Sequence, residues 1–140
     1  MTATTLDRDS RRSDGILKAI KMAAVKIPKG VLTCIDTSGF VTNGADTASF
    51  LFAGVSYEQV DNSAGSAGDK EIRIAKNGEH TFYYSGGDAA QALLGKEAYI
   101  VDNQTVDEDA LVTTNDVKCG VISEVLSAGM VRVRIDNYTR

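Results

Sequence analysis

The stretch GVLTCIDTSGFVTN, residues 30–43, decides how the rest of the chain is read. Val31, Leu32, Cys34 and Ile35 make a short apolar strand, Asp36-Thr37-Ser38-Gly39 makes a turn, and Phe40-Val41 begins the return. Aspartate at the first turn position and glycine at the fourth fit a type I turn, because the carboxylate can accept nearby backbone N–H groups. A β-hairpin is therefore expected here.

Sixty-six residues later the pattern returns (102 − 36): Ala98-Tyr99-Ile100-Val101 is a strand, Asp102-Asn103-Gln104-Thr105 a turn and Val106 a return. Ala53-Gly54-Val55 is echoed by Cys119-Gly120-Val121, and Glu58 by Glu124, at the same offset. Ile72-Arg73-Ile74 matches Val131-Arg132-Val133 at an offset of 59 (131 − 72). Two diverged copies of one β unit are read over residues 29–136. Two copies are too few for a solenoid, so the expected fold class is all-β, a small pseudo-symmetric barrel or sandwich. A short helix at 88–94, capped by Asp88 and stopped by Gly95, is expected to join the copies.

The 140 residues amount to one domain with a real core. There is one proline against thirteen glycines, so turns rest on Gly, Asn and Asp. No apolar run approaches the roughly 20 residues of a membrane span, and the start lacks the apolar core of a secretory signal. Two unrelated cysteines, Cys34 and Cys119, give no disulfide framework and read as buried thiols. Residues 1–29 hold seven basic and three acidic side chains, whereas residues 30–140 hold eight and sixteen. The chain reads as a basic N-terminal arm, 1–29, on an acidic body, 30–140. Such an arm docks on something acidic. Nucleic acid is disfavoured, because the body repels phosphate and the arm lacks aromatic residues for stacking.

The arm's first fourteen residues are polar and charged. Residues 15–25 fit a short helix (Ile16, Ala19, Ile20, Ala23) or an extended segment laid on a partner. Residues 49–56 form an apolar strand whose Gly54 marks a bulge or a close backbone approach. Residues 62–69 form a small, exposed loop. Residues 71–76 alternate as a half-buried strand, and Asn77-Gly78 signals a hairpin into 80–84. Residues 130–135 alternate cleanly, with Arg132 and Arg134 on one face.

No pattern carries chemistry strongly. Asp36-Thr37-Ser38-Gly39 is near the Asp-Thr-Gly turn of aspartic peptidases, and Asp102 would supply a second carboxylate. Ser38 interrupts that motif, however, and Asp102 has no following glycine; two Asp-initiated turns account for the same residues. His80 is the single histidine, Asp107-Glu108-Asp109 lacks calcium-loop spacing, and Gly65-Ser66-Ala67-Gly68 lacks the residues of a phosphate loop. No catalytic residue, metal site or cofactor is expected.

Arg11-Arg12, the run from Ala23 to Leu32 (AAVKIPKGVL), Asp36-Thr37-Ser38-Gly39-Phe40, the run from Gly95 to Val106 (GKEAYIVDNQTV), Gly120-Val121-Ile122 and Val131-Arg132-Val133-Arg134-Ile135 resemble the capsid decoration (cement) proteins of tailed bacteriophages. The resemblance spans nearly the whole chain. It implies a β-barrel-like body, made in the host bacterial cytoplasm, that sits as a homotrimer on the outer capsid surface at or near threefold positions. There it would bind the major capsid protein and reinforce the expanded head, with no role for nucleic acid or membrane. The arm would reach across capsid subunits, burying Ile16, Leu17 and Ile20 and pairing Arg8, Arg11 and Arg12 with carboxylates. Arg132 and Arg134 are candidate subunit contacts. Some relatives in this broad group have been proposed as aspartic peptidases. That leaves open the alternative of a peptidase using Asp36 and Asp102, or another virion part such as a tail or head-fibre subunit.

Overall fold

Among the described residues, ten of the twelve strands form two curled sheets that repeat one topology. The computed structural model describes residues 15–108, 113–127 and 129–136. The first sheet contains β1 (Leu17–Lys21), β7 (Glu71–Ala75), β5 (Leu51–Ser56), β3 (Leu32–Ile35) and β4 (Val41–Asn43), in that order. The second contains β8 (Gly78–Tyr84), β12 (Met130–Ile135), β11 (Lys118–Val125), β9 (Glu97–Ile100) and β10 (Thr105–Asp107), and it closes into a barrel where β10 runs parallel to β8. β2 (Lys26–Ile27) pairs with β6 (Val60–Asp61) as a small separate ribbon. The domain is all-β, as its alternating strands and Gly/Asn/Asp turns require.

The duplication is present ladder by ladder. Strands β1, β7, β5, β3 and β4 correspond in order to β8, β12, β11, β9 and β10. Gly30 donates to Ser56 O and Ser56 to Val31 O; Gly95 donates to Ile122 O and Ile122 to Lys96 O. Both leading glycines are left-handed, with φ of 77° and 83°. Just past β5 the Glu58 carboxylate binds the Arg73 guanidinium of β7 at 2.8 Å, and near the end of β11 Glu124 binds Arg132 of β12. The bulge expected at Gly54 sits opposite Thr33, whose Oγ1 donates to Gly54 O at 2.9 Å, and its counterpart lies at Gly120 opposite Ala98.

Four expectations are corrected. First, the repeat begins at β1, not at residue 29. β1 is the counterpart of β8, and all five of its residues pair with β7, from Leu17 with Ala75 to Lys21 with Glu71. Residues 17–21 therefore belong to the body and are not part of a separable arm. Second, Asn77-Gly78 makes no hairpin. β7 already has β1 and β5 on its two edges, so β8 must turn to β12 and β10, and Asn77-Gly78 becomes the link between the units. Third, the 88–94 helix is one 3₁₀ turn, Gln91–Leu93, led by Ala90 with no side-chain cap, and it lies inside the second unit. Asp36 and Asp102 also fail to superpose: the equivalent carbonyl-closing bonds are Asp36 N–H to Phe40 O and Val101 N–H to Thr105 O, an offset of 65 (101 − 36).

Two apolar cores follow from this arrangement. Met22, Ile27, Val41, Ile72 and Ile74 fill the first curl and are fully buried. Each such side chain stabilises the fold by about 1.5–3 kcal/mol relative to exposure. The larger core lies inside the closed barrel (Ile100, Val106, Ile122, Val131, Val133, Ile135) and extends onto Leu32, Cys34 and Val55 of the first sheet. β3 and residues 53–56 of β5 are thus buried on both faces, and this is what joins the units.

Candidate interaction surface

β1 lies at an edge of the first sheet, and four of its five residues are exposed. Met22 N–H donates to Lys70 O and Lys76 N–H to Ile16 O, which fixes the even-numbered residues of β1 as those bonding β7. Antiparallel alternation then turns the N–H and C=O groups of Leu17, Ala19 and Lys21 away from β7. Among the described residues, β1 meets β4 at its far end through the parallel Met22–Val41 bridge, in which Ala23 N–H donates to Val41 O. In the second unit the equivalent seam carries two ladder pairs, Thr105–Tyr83 and Val106–Tyr84, and the Tyr83 N–H is taken by Gln104 O.

Of the residues expected to bind a capsid, Ile16 and Leu17 lie at this edge, 55% and 41% exposed. Ile20 is half-buried against the first core, because inward-facing positions on β1 alternate toward Met22. Arg8, Arg11 and Arg12 lie outside the described residues. A cleft of about 350 Å³ opens beside the edge, lined by Gly15, Lys18, Ile20 and Lys76. The Lys76 ammonium donates to Ala53 O at 2.6 Å, which leaves Lys18 as its exposed cation.

The other candidate residues are not brought together. Arg132 is engaged by Glu124, and Arg134 lies 3.5 Å from Asp136. Asp36 Oδ1 accepts the N–H groups of Ser38 and Phe40, and Asp102 Oδ1 that of Gln104, so each carboxylate organises its own turn. His80 Nε2 lies 3.2 Å from Asn77 O. Among the described residues, no group of three or more His, Cys, Asp or Glu side chains is placed to share a metal ion. The loop at 61–69 is tied down: the buried Asn62 amide donates to Ala23 O and Ser66 O, and Asp69 accepts the Ser66 N–H. Comparison with protein-family models, curated proteins and solved structures finds no match.

Sequence reading misses Asp46, whose partners lie in the other unit. Its carboxylate accepts the N–H groups of Thr114 (2.7 Å) and Asn115 (2.8 Å), and its backbone carbonyl accepts the Asn115 amide. Desolvation would raise its pKa, but these hydrogen bonds outweigh it and hold the carboxyl below its usual range. A depressed folded pKa adds stability above the unfolded value that is lost as pH falls through the folded one. Asp46→Ala is expected to cost about 1 kcal/mol at neutral pH, as capping losses do. The gap from wild type, measured by urea unfolding, should narrow below about pH 4, where an unperturbed aspartate protonates. A gap that stays constant to low pH would count against this role.

Proposed function

We propose that this chain is a virion structural protein, a capsid decoration (cement) protein. In this reading a homotrimer binds the outside of the major capsid protein lattice at or near threefold positions and stabilises the expanded head without catalysis. The observation that carries the reading is where the basic N-terminal stretch is rooted. Gly15, which begins the described chain, leads into β1 at an open sheet edge beside exposed Ile16 and Leu17. Residues 1–14 hold three arginines and three aspartates, so the basic surplus of the stretch lies in its lysines; Lys18 and Lys21 of β1 stand in sequence beside exposed Ile16 and Leu17, a combination suited to a partner that offers carboxylates around an apolar patch. Three such edges in a trimer would bind together far more tightly than one, by effective concentration.

The test is co-sedimentation with expanded heads that lack the protein. Saturable binding at a copy number tied to the threefold positions supports the reading. Absence of binding at low salt overturns it, returning the question to a peptidase using Asp36 and Asp102 or to a tail or head-fibre subunit. Two truncations divide the surface. Removing residues 1–14 should leave the body folded and weaken head binding at least about tenfold, since each tenfold is only about 1.4 kcal/mol of lost contacts. Removing residues 1–21 should unfold the first unit, because it strips β1 from β7 and uncovers Ile72 and Ile74. Circular dichroism separates the two outcomes.

A further inference from the structure

We propose that the outer edge of β1 is a strand-addition site for an extended acidic peptide segment of a partner protein. This goes beyond the capsid reading and does not require it.

Three observations converge on the edge. Among the described residues, no strand pairs with the outward N–H and C=O groups of Leu17 and Ala19 or with the Lys21 N–H, since the register with β7 occupies only the other edge and the Met22–Val41 bridge reaches no further than the Lys21 carbonyl. The seam is longer by one ladder pair in the second unit than in the first, and the difference falls at Lys21. There the Lys21 N–H is the counterpart of the Tyr83 N–H, which Gln104 O fills (83 − 62 = 21). Beside the edge lies the cleft of about 350 Å³ lined by Gly15, Lys18, Ile20 and Lys76, with no carboxylate among the described residues that line it. An added strand would gain main-chain hydrogen bonds along the edge, while alternate side chains entered the cleft. An apolar residue fits against Ile20, and a carboxylate beside it on that face meets Lys18.

The charges select the occupant. On β7, Lys18 stands opposite Ile74 and so has no acid across the ladder, whereas Lys21 stands opposite Glu71. A second copy of β1 paired antiparallel about Ala19 would set each Lys18 opposite Ile20 and each Lys21 opposite Leu17, with the two Lys18 side chains diagonal on one face. Neither β7 nor a second copy therefore gives Lys18 a carboxylate, and an acidic strand does.

The probe is a blocked peptide of Glu-Ser-Val-Ser repeats, which puts Glu and Val in turn on one face of an added strand, titrated into the ¹⁵N-labelled full-length protein. A Lys-Ser-Val-Ser peptide of the same length is the control. The Glu-Ser-Val-Ser peptide should shift the amides of Leu17, Ala19 and Lys21, slow their hydrogen exchange, and bind at least about tenfold more tightly than the control, with affinity falling as salt rises. Ala19→Pro removes one outward N–H and leaves the β7 ladder intact, since proline is tolerated on the free side of an edge strand. It should weaken the peptide at least about tenfold while the spectrum stays dispersed. Thr81→Pro, on the outward side of β8, should change nothing. Lys18→Glu should reverse the preference between the two peptides. Binding of neither peptide would mean that the lysines merely guard the edge and would overturn the proposal. So would equal binding of both peptides, shifts centred elsewhere, or indifference to Ala19→Pro. Because no heads are present, such failure leaves the capsid reading to its own test.

Discussion

Gly54→Ala is expected to lower the melting temperature by roughly 10–20 °C, an effect of about 4 kcal/mol in a domain of this size. Two costs combine. Gly54 has φ of 145°, a backbone conformation that side chains rarely adopt. A Cβ there would also strike the Ala75 carbonyl oxygen and the Ile74 Cγ2 methyl. The obstacle is partly the backbone of β7, which cannot swing aside as a flexible side chain would, so β5 and β7 must separate. Gly120, the counterpart in the second unit, meets the Arg134 carbonyl oxygen, with Val133 Cγ1 at 2.9 Å. Gly120→Ala should therefore also be severe, on steric grounds alone. The control is Gly95→Ala. Gly95 is left-handed, but no atom lies within 4 Å of where its Cβ would be, so only the conformational cost of about 1–2 kcal/mol remains. Calorimetry that ranked Gly95→Ala as the most damaging of the three would show that the close approach at β5–β7 and β11–β12 is not what demands glycine.

These glycines were legible in the sequence because they are local. A glycine inside an apolar strand, repeated at a fixed spacing beside Glu58/Glu124 and Arg73/Arg132, marks one piece of geometry used twice. The hairpin at 32–43, the half-buried β7 and the alternating β12 were legible for the same reason: each is written in a single short period. What the sequence concealed depended on the partner strand. β1 contains Leu17, Ala19 and Ile20, a spacing that a helix and a strand share, and only β7 opposite it decides for strand. Asn77-Gly78 has hairpin chemistry, yet both edges of β7 are occupied, and no local residue announces that. The equivalence of Asp36 with Asp102 misled by one position, since either residue of a turn can carry the capping aspartate. Of the candidate surface, Ile16 and Leu17 were legible as apolar residues in a polar stretch. The shorter seam was not, because it lacks, among the described residues, a ladder pair that the second unit has.

Leu32→Ala should cost about 3 kcal/mol, whereas alanine at the matching position of the second unit, Glu97→Ala, should change stability by less than about 0.5 kcal/mol. The two residues hold the same place in the repeat: Leu32 pairs with Val55 on β5, and Glu97 with Val121 on β11. Their surroundings are opposite. Leu32 is fully buried in the core of the second unit, beside Cys34 and Val55, and its N–H donates to Asn103 O across the junction. Glu97 is exposed, salt-bridged to Lys118 at 2.6 Å and bonded by the Tyr99 hydroxyl, and Val121 beside it is 38% exposed. One unit therefore buries through the outer face of its β3–β5 pair what the other presents to water through β9–β11. A twofold arrangement would bury both faces alike, so the units join head to tail. A head-to-tail contact leaves one acceptor face unused at the end of every pair, and repeated stacking is its natural failure. Replacing Leu32, Cys34 and Phe52 with Glu97, Tyr99 and Lys118 at the matching positions puts a charged pair where the junction has apolar side chains, so a third unit would have to desolvate an ion pair to dock. The stability comparison tests this directly. If urea unfolding gave equal losses for Leu32→Ala and Glu97→Ala, the faces would be energetically alike and the polar substitutions would have no part in stopping the stack at two.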